Sequence, residues 1–539
     1  MGFRLRPANR CLDGLQCRWK FAPNPMKPTP RSLCAFLLPT FAAFAVLVGD
    51  AAGAVLVRGP YLQVATPDSM TIRWRTDEPV ASVVRYGADP DFLNLIDGDL
   101  ALTTEHEVKL FGLTPETLYY YSVGSLTEDL VEGPEYLFKT APRPGTARPT
   151  RVWIVGDCGT ANTGAGNQVG VRDAYYDLAG SRHTDVWLAL GDNAYYSGYD
   201  HEYQENFFDV YSQLLRRTPI WSTIGNHETY SGAGNGRFPY LDIFTFPAAG
   251  EAGGVSSGTE KFYSFNHANI HFVCLDSMTM PRTSAGEMAR WLEADLAANT
   301  NDWIIAFFHH PPYTKGSHDS DGEIEHIQMR EALMPILEAH GADLVLGGHS
   351  HNYERSKLMR GHFGYSWELE PSMVLDGGSG RPGHTGPYVK PVTGPRANQG
   401  TVYCVAGSSG WATFAVGSHP IMYYDAVSMG SLVLDIEGNR LDAMFVRETG
   451  AIDDRFSIVK GDPEPFRFSA FRMENGATVA RWQSIPGRSY QVERTPGLEV
   501  PDWQPIGGPV IATGSTTSWN HPAPAGASRG FYRVIESIP

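Results

Sequence analysis

The sequence predicts a multidomain chain in which an all-β segment, an α/β segment and a second, smaller β segment follow one another. Three observations carry this. Residues 56–141 alternate or run apolar in short stretches between Pro, Asp and Gly turns. Residues 150–460 mix short apolar runs with helical spacing, and residues 463–539 return to strand-like alternation. At 539 residues the chain also exceeds one ordinary domain.

In the first segment Val55 to Val57, Ser69 to Trp74 and Ala81 to Tyr86 read as strands. The run from Pro142 to Pro149 is rich in breakers and reads as a linker. In the second segment Val152 to Val155, Val186 to Leu190, Phe272 to Leu275, Ile304 to Phe308 and Leu344 to Leu346 fit buried strands. Ser284 and Glu287 have the spacing of a capping box, ahead of Met288, Trp291, Leu292 and Leu296 at helical intervals. In the third segment Val479 to Trp482, Ser489 to Glu493 and Phe531 to Val534 predict a small β-module, with Trp482 and Trp503 expected in its core.

The N-terminus reads as an export signal over residues 1–54. Lys27 and Arg31 precede the apolar run Leu33 to Val48, which ends at the small-residue site Ala52-Gly53-Ala54. Pro39 and the shortness of the run oppose a stable membrane span. Met26 is the better start for such a signal. The formal charge of -16 argues against a nucleic-acid binder, which needs a basic face. It leaves phosphate substrates open, because bound cations set the local field. Beyond the presequence only Cys158, Cys274 and Cys404 remain, an odd number that predicts free thiols rather than a disulfide framework. No Asn-x-Ser/Thr sequon occurs, which fits a bacterial exported protein, secreted or periplasmic.

Five blocks carry the chemistry. They are Gly156-Asp157-Cys158-Gly159, Gly191-Asp192-Asn193-Ala194-Tyr195, Gly225-Asn226-His227-Glu228, His309-His310-Pro311 and Gly348-His349-Ser350-His351. Four of them directly follow apolar, strand-like runs, and sites in α/β sheets lie beyond the carboxyl ends of strands. Carboxylate, phenol, amide and imidazole donors in this number suit a pair of cations. Two cations neutralise phosphoryl oxygens and acidify a water, with one carboxylate bridging them.

Content and order of these blocks resemble the purple acid phosphatase branch of the calcineurin-like metallophosphoesterases. The resemblance implies an αββα catalytic domain over residues 150–460. Gly112-Leu113-Thr114-Pro115 to Tyr121 resembles the corner of a fibronectin type III-like β-sandwich, the N-terminal domain of that branch, here over residues 56–141. It also implies a ligand set: Asp157, Asp192, Tyr195 and His351 on the first metal; Asp192, Asn226, His309 and His349 on the second. The first metal would be Fe(III), the second Fe(II), Zn or Mn. Most of the superfamily carries a His ligand where this chain has Gly159; Tyr195 replaces it. His309 is preferred over His310 because Pro311 and Tyr313 then stand two and four residues on.

The resemblance makes His227 and His318 the histidines that hold phosphate or protonate the leaving group. The plain alternatives are that His227 only orients Asn226 and that His318 is a solvated loop residue. Glu354 and Arg355 are expected to pair and fix the turn bearing His349 and His351. Arg237 and Tyr240, in the insert at 231–260, could shape the pocket, and Tyr313 and Lys315 could reach substrate. His201, His267, His271, His326, His340 and His419 read as ordinary fold residues. The implied function is an exported acid phosphatase acting on small phosphate monoesters through a water deprotonated at a dinuclear centre. A phosphodiesterase or nucleotidase would use the same donors. An inert surface or polysaccharide-binding protein is the alternative from another class. Oligomeric state has no signature in the sequence.

Overall fold

The computed structural model describes residues 53–232, 237–382, 384–394, 397–461, 468–474, 476–484, 489–499, 501–514, 516–522 and 530–536. The expected presequence, with Met26 and the run Leu33 to Val48, lies outside these residues apart from Gly53 and Ala54. Among the described residues no helix is long and apolar enough to cross a membrane.

Residues 56–139 form an antiparallel sheet of six strands. The two strands expected at 69–74 and 81–86 are one, Ser69–Gly87. Asp77-Glu78-Pro79 reads as a turn but is absorbed by a bulge, where the register with Leu95–Phe111 shifts between Arg75 and Val80. A bulge tolerates the proline because its missing N–H is not needed by the ladder. The half before the bulge pairs with Leu56–Gln63 and the half after it with Leu118–Gly124. Arg58 and Arg75 reach from this sheet to Asp200, and Tyr61 Oη donates to Ile243 O at 2.6 Å.

Two seven-stranded sheets follow. One has Thr150–Val155, Val186–Ala189 and Ile220–Ser222 running parallel at one end, with the antiparallel strands Gly430–Glu437, Arg440–Arg447 and Ile452–Lys460 beside them. The other has Ile270–Cys274, Trp303–Phe308, Leu344–Gly347 and Val402–Ala406 in parallel. Trp153, Trp187, Phe272, Phe307, Leu344 and Leu432, drawn from both sheets, share one buried cluster. The five expected runs are strands in these sheets because both faces are covered, so nearly every residue of each is apolar. Helices Gln168–Ala179 and Glu287–Ala298 cover outer faces. The capping box at Ser284 does not form: the N-cap is Gly286, with no side-chain cap.

The C-terminal residues make two small sheets, one built on Ala477–Gln483 and one on Ser489–Thr495. Trp482, Tyr490, Val492 and Trp519 close a separate small core, so Trp482 is a packing residue. Cys158, Cys274 and Cys404 are buried free thiols.

Candidate metal centre

All five blocks begin at strand ends. The strand ahead of the third block, Ile220–Ser222, is only three residues long and escapes pattern reading. Asp157, Asp192 and His349 leave their strands in the left-handed region, at φ of 54°, 52° and 63°. Residues with a Cβ occupy that region at a cost of about 1–3 kcal/mol unless their surroundings hold them there. The turn swings each side chain back over its sheet edge, into one cleft.

Glycine lets the turns close up. A Cβ on Gly159 would stand 2.1 Å from Asn193 O, so a histidine has no room there. Instead the backbones of the first two blocks join, with Gly159 N donating to Asp192 O at 3.3 Å and Tyr195 N to Gly159 O at 2.9 Å. A Cβ on Gly225 would meet Asp192 Oδ1 at 2.2 Å.

The donor atoms fall into two sets. Tyr195 Oη lies 3.3 Å from Asp157 Oδ1, 3.1 Å from Asp192 Oδ2 and 3.2 Å from His351 Nε2. Asn226 Oδ1 lies 3.0 Å from both His309 Nε2 and His349 Nδ1, which are themselves 3.2 Å apart. Asp192 Oδ2 belongs to both sets, being also 3.4 Å from His309 Nε2. The seven residues expected as ligands thus converge, with Asp192 between the halves.

The donor set fits cations. His309 Nδ1 is 2.8 Å from Leu190 O and can only donate there, which fixes the tautomer. Nε2 then faces Asn226 Oδ1 and the Asp192 carboxylate, an arrangement of acceptors that needs a positive charge among them, either a proton on Nε2 or a bound cation. Burial opposes charge on His309, yet Asp192 and Asp157 push it up to about 10. Burial would likewise raise Asp192, but His309, His227 and His349 hold it well below the usual carboxylate range. Burial, then Asp192 and Asp157, push the Tyr195 phenol well up. A phenolate at Tyr195 therefore requires a cation against its oxygen.

His310 is engaged at Nδ1, which lies 3.0 Å from Ser277 Oγ, and Ser277 Oγ also accepts its backbone N–H at 2.9 Å, although a ring nitrogen of His310 stays within 4.8 Å of donors on His309 and His349. His227 is fixed at its backbone by Asp192 Oδ1 (2.9 Å) and at Nδ1 by Tyr196 O (2.6 Å), so Nε2 is the free nitrogen, 3.9 Å from Asp192 Oδ2. The His318 ring lies against that of His349, tilted by 33° with centroids 3.8 Å apart, and its Nδ1 bonds both oxygens of Glu323 at 3.0 Å. It is therefore a tethered residue rather than a free loop histidine.

Three carboxylates around the site carried no assigned role in the sequence. Glu228 accepts the backbone N–H of Asp192 (2.8 Å), Asn193 (2.7 Å) and Gly225 (2.7 Å). Its position three residues after Gly225, at a helix start, is the one local signal for this role. Glu323 also faces His349 Nε2 and His326 Nε2, each at 3.6 Å, so His326 is part of the surround and not an ordinary fold residue. Asp454, from the other sheet, takes the Arg355 guanidinium in a buried pair with contacts at 2.5 and 3.0 Å. This corrects the expected Glu354–Arg355 pair, which geometry forbids because adjacent strand residues point to opposite faces. Glu354 bonds Thr314 Oγ1 and Lys315 N instead.

Lys315 is held by Asp319 and Asp321, and Tyr313 is buried with its hydroxyl on His362 O. Tyr240 is core, donating to Ser222 O at 2.9 Å, and Arg237 pairs with Asp242.

The calcineurin-like phosphoesterase family pattern matches residues 150–353, and that of the purple acid phosphatase N-terminal domain matches residues 57–140. Purple acid phosphatase 22 of Arabidopsis thaliana is 31% identical over 317 residues, covering 55% of this chain and 66% of its own length. Purple acid phosphatase 15 of the same plant is 30% identical over 308 residues, and this chain spans about half of it, 53%. Human acid phosphatase type 7 is 26% identical over 375 residues, 64% of this chain and 75% of that one. The purple acid phosphatase PPD1 from yellow lupin shares the fold, with a TM-score of 0.59 at 19% identity over 75% of each chain. The chain is a purple acid phosphatase-like member of the calcineurin-like phosphoesterases.

Proposed function

We propose that this chain is an exported acid phosphatase that hydrolyses small phosphate monoesters at a dinuclear metal centre. The observation that carries the reading is the pair of donor sets meeting at Asp192 Oδ2. Asp157, Tyr195 and His351 would hold one metal with Asp192, and Asn226, His309 and His349 would hold the other with Asp192. Fe(III) suits the phenol-bearing set, and Fe(II), Zn or Mn the second. When bound, two such ions neutralise phosphoryl oxygens and acidify a water.

The chain's own residues do the rest. His227 offers Nε2 to the phosphate or the leaving oxygen, since Nδ1 is spent on Tyr196 O. His318, held at Nδ1 by Glu323, presents Nε2 as a second donor. Proton delivery of this kind contributes typically ~10²–10⁴-fold. The catalytic segment at 150–460, the β-domain at 56–141, the C-terminal module at 463–539 and removal of a presequence near residue 54 belong to the same proposal.

The test is hydrolysis of p-nitrophenyl phosphate and of the matching diester by residues 55–539, from about pH 4 to about 9, with iron, zinc or manganese supplied. Preference for the monoester in acid is expected. Preference for the diester would move the function to phosphodiesterase. A monoester rate peaking well above neutrality, or no turnover with metal bound, would overturn the proposal.

A further inference from the structure

The mouth of the site is aromatic. Tyr196 and Tyr230 flank His227: Tyr196 through its carbonyl on His227 Nδ1, Tyr230 with its ring centroid 4.9 Å from the imidazole. Their side chains remain half in solvent, at 50% and 56% exposure. The rim continues through Trp411, whose ring lies 6.1 Å from that of Tyr196 and whose indole N–H reaches His351. Phe414 stands on the same segment, which is tied to the site by Thr413 N donating to His351 O at 3.0 Å. Phe414 is 72% exposed.

Large apolar rings left in water at a catalytic mouth mark a contact surface. Cations are engaged elsewhere: near this mouth, among the described residues, Lys315 is bound by Asp319 and Asp321, and Arg237 by Asp242. The rim thus offers flat π surface and no unpaired positive charge for a second phosphate.

We infer that the site selects monoesters carrying one phosphate and a planar aromatic ring in the leaving alcohol, with Tyr196 and Phe414 as specificity residues. The inference rests on the phosphatase reading above. Nucleoside 5′-phosphates and simple aryl-alkyl phosphates share this chemistry, and two substrate pairs separate them. Adenosine 5′-monophosphate against ribose 5-phosphate has the same primary leaving oxygen with and without a base. Benzyl phosphate against cyclohexylmethyl phosphate compares a flat ring with a puckered one of similar size. Because each result is a ratio of kcat/KM values, losses at the metal centre cancel.

In the wild-type chain at least one ratio should exceed roughly tenfold, since stacking on aromatic side chains discriminates by about that much. The pair with the larger ratio identifies the source. Tyr196→Leu should lower that ratio roughly fivefold or more, while Tyr196→Phe retains it. Phe414→Ala, a change at an exposed side chain, should lower it in the same direction. Wild-type ratios within about twofold of one, or ratios unchanged in both Tyr196→Leu and Phe414→Ala, overturn the inference while leaving the phosphatase reading intact. No turnover of any of the four esters overturns both.

Discussion

Replacing Glu323 by Gln removes one charge from beside the second donor set while leaving its shape. Glu323 receives His318 Nδ1 at 3.0 Å and the Asp319 N–H at 3.1 Å, and faces His326 and His349 Nε2 at 3.6 Å each. A full charge on an imidazole at that separation would feel about 4–5 kcal/mol at an effective dielectric near 20. Neutral rings and partial exposure reduce this toward the ~1.5–3 kcal/mol net value of a hydrogen bond to a charged group. That range corresponds to roughly 10–100-fold, the usual cost of removing the partner that orients a metal-binding histidine. Burial opposes ionisation of Glu323, but His318, His326 and His349 hold its carboxyl well below the usual range, so acid within the assay window does not remove its charge. The expected result is a second-site metal affinity, measured by chelator competition, weakened by roughly 10–100-fold, with kcat/KM falling in parallel at every assay pH. A variant that binds the second metal within about twofold of wild type would refute the orienting role.

Other perturbations have definite signs. Burial pushes Glu354 up to about 7 from an ordinary 4.5, so its folded form prefers the proton. Its contribution to folding is full below about 4.5 and lost as pH rises through 7; at about 1.4 kcal/mol per pH unit the swing is ~3 kcal/mol. Glu354→Gln should therefore gain stability over wild type above neutrality, and the gap should close toward pH 5, as read from urea unfolding at about three pH values. Asp454→Ala strands the Arg355 charge and should lower unfolding stability by about 3–5 kcal/mol; a loss under ~1 kcal/mol would contradict a buried pair. Tyr195→Phe should abolish any visible charge-transfer band of the iron-loaded protein, and a retained band would remove Tyr195 from the donor set.

The sequence discloses what is local. Val152 to Val155 or Ile304 to Phe308 are apolar throughout because both faces of their sheets are covered, and that pattern needs no knowledge of partners. The blocks are equally legible, since each sits directly after such a run. Long-range pairing is not. Glu228 reaches back 36 residues to Asp192, Glu323 lies 26 before His349, and Asp454 lies 99 beyond Arg355. Glu228 has only its place at the helix start after Gly225 as a local signal, and nothing in the neighbourhood of Glu323 or Asp454 distinguishes them from solvated acids. Local rules also lost twice to tertiary context: Pro79 sits in a bulge of a continuous strand, and Ser284 yields the cap position to Gly286.

Long-range contacts of this kind explain how three of the proposed ligand positions stay in a disfavoured backbone conformation. Asp192 at φ 52° is held by its N–H on Glu228, from the third block. His349 at φ 63° is held by its N–H on Asp157 Oδ2 at 2.8 Å, so the first block restrains the last. Asp157 at φ 54° donates its N–H to Gly191 O at 3.1 Å, in the second block. Each strained turn is thus pinned by a group from another block. At about 1–3 kcal/mol per turn, no block would hold its geometry alone. The carboxylate that would bind the first metal also fixes the backbone of a ligand to the second. Asp157 substitutions should therefore weaken both sites together, and effects of changes in different blocks should not add, because the blocks share hydrogen bonds rather than merely facing a common space.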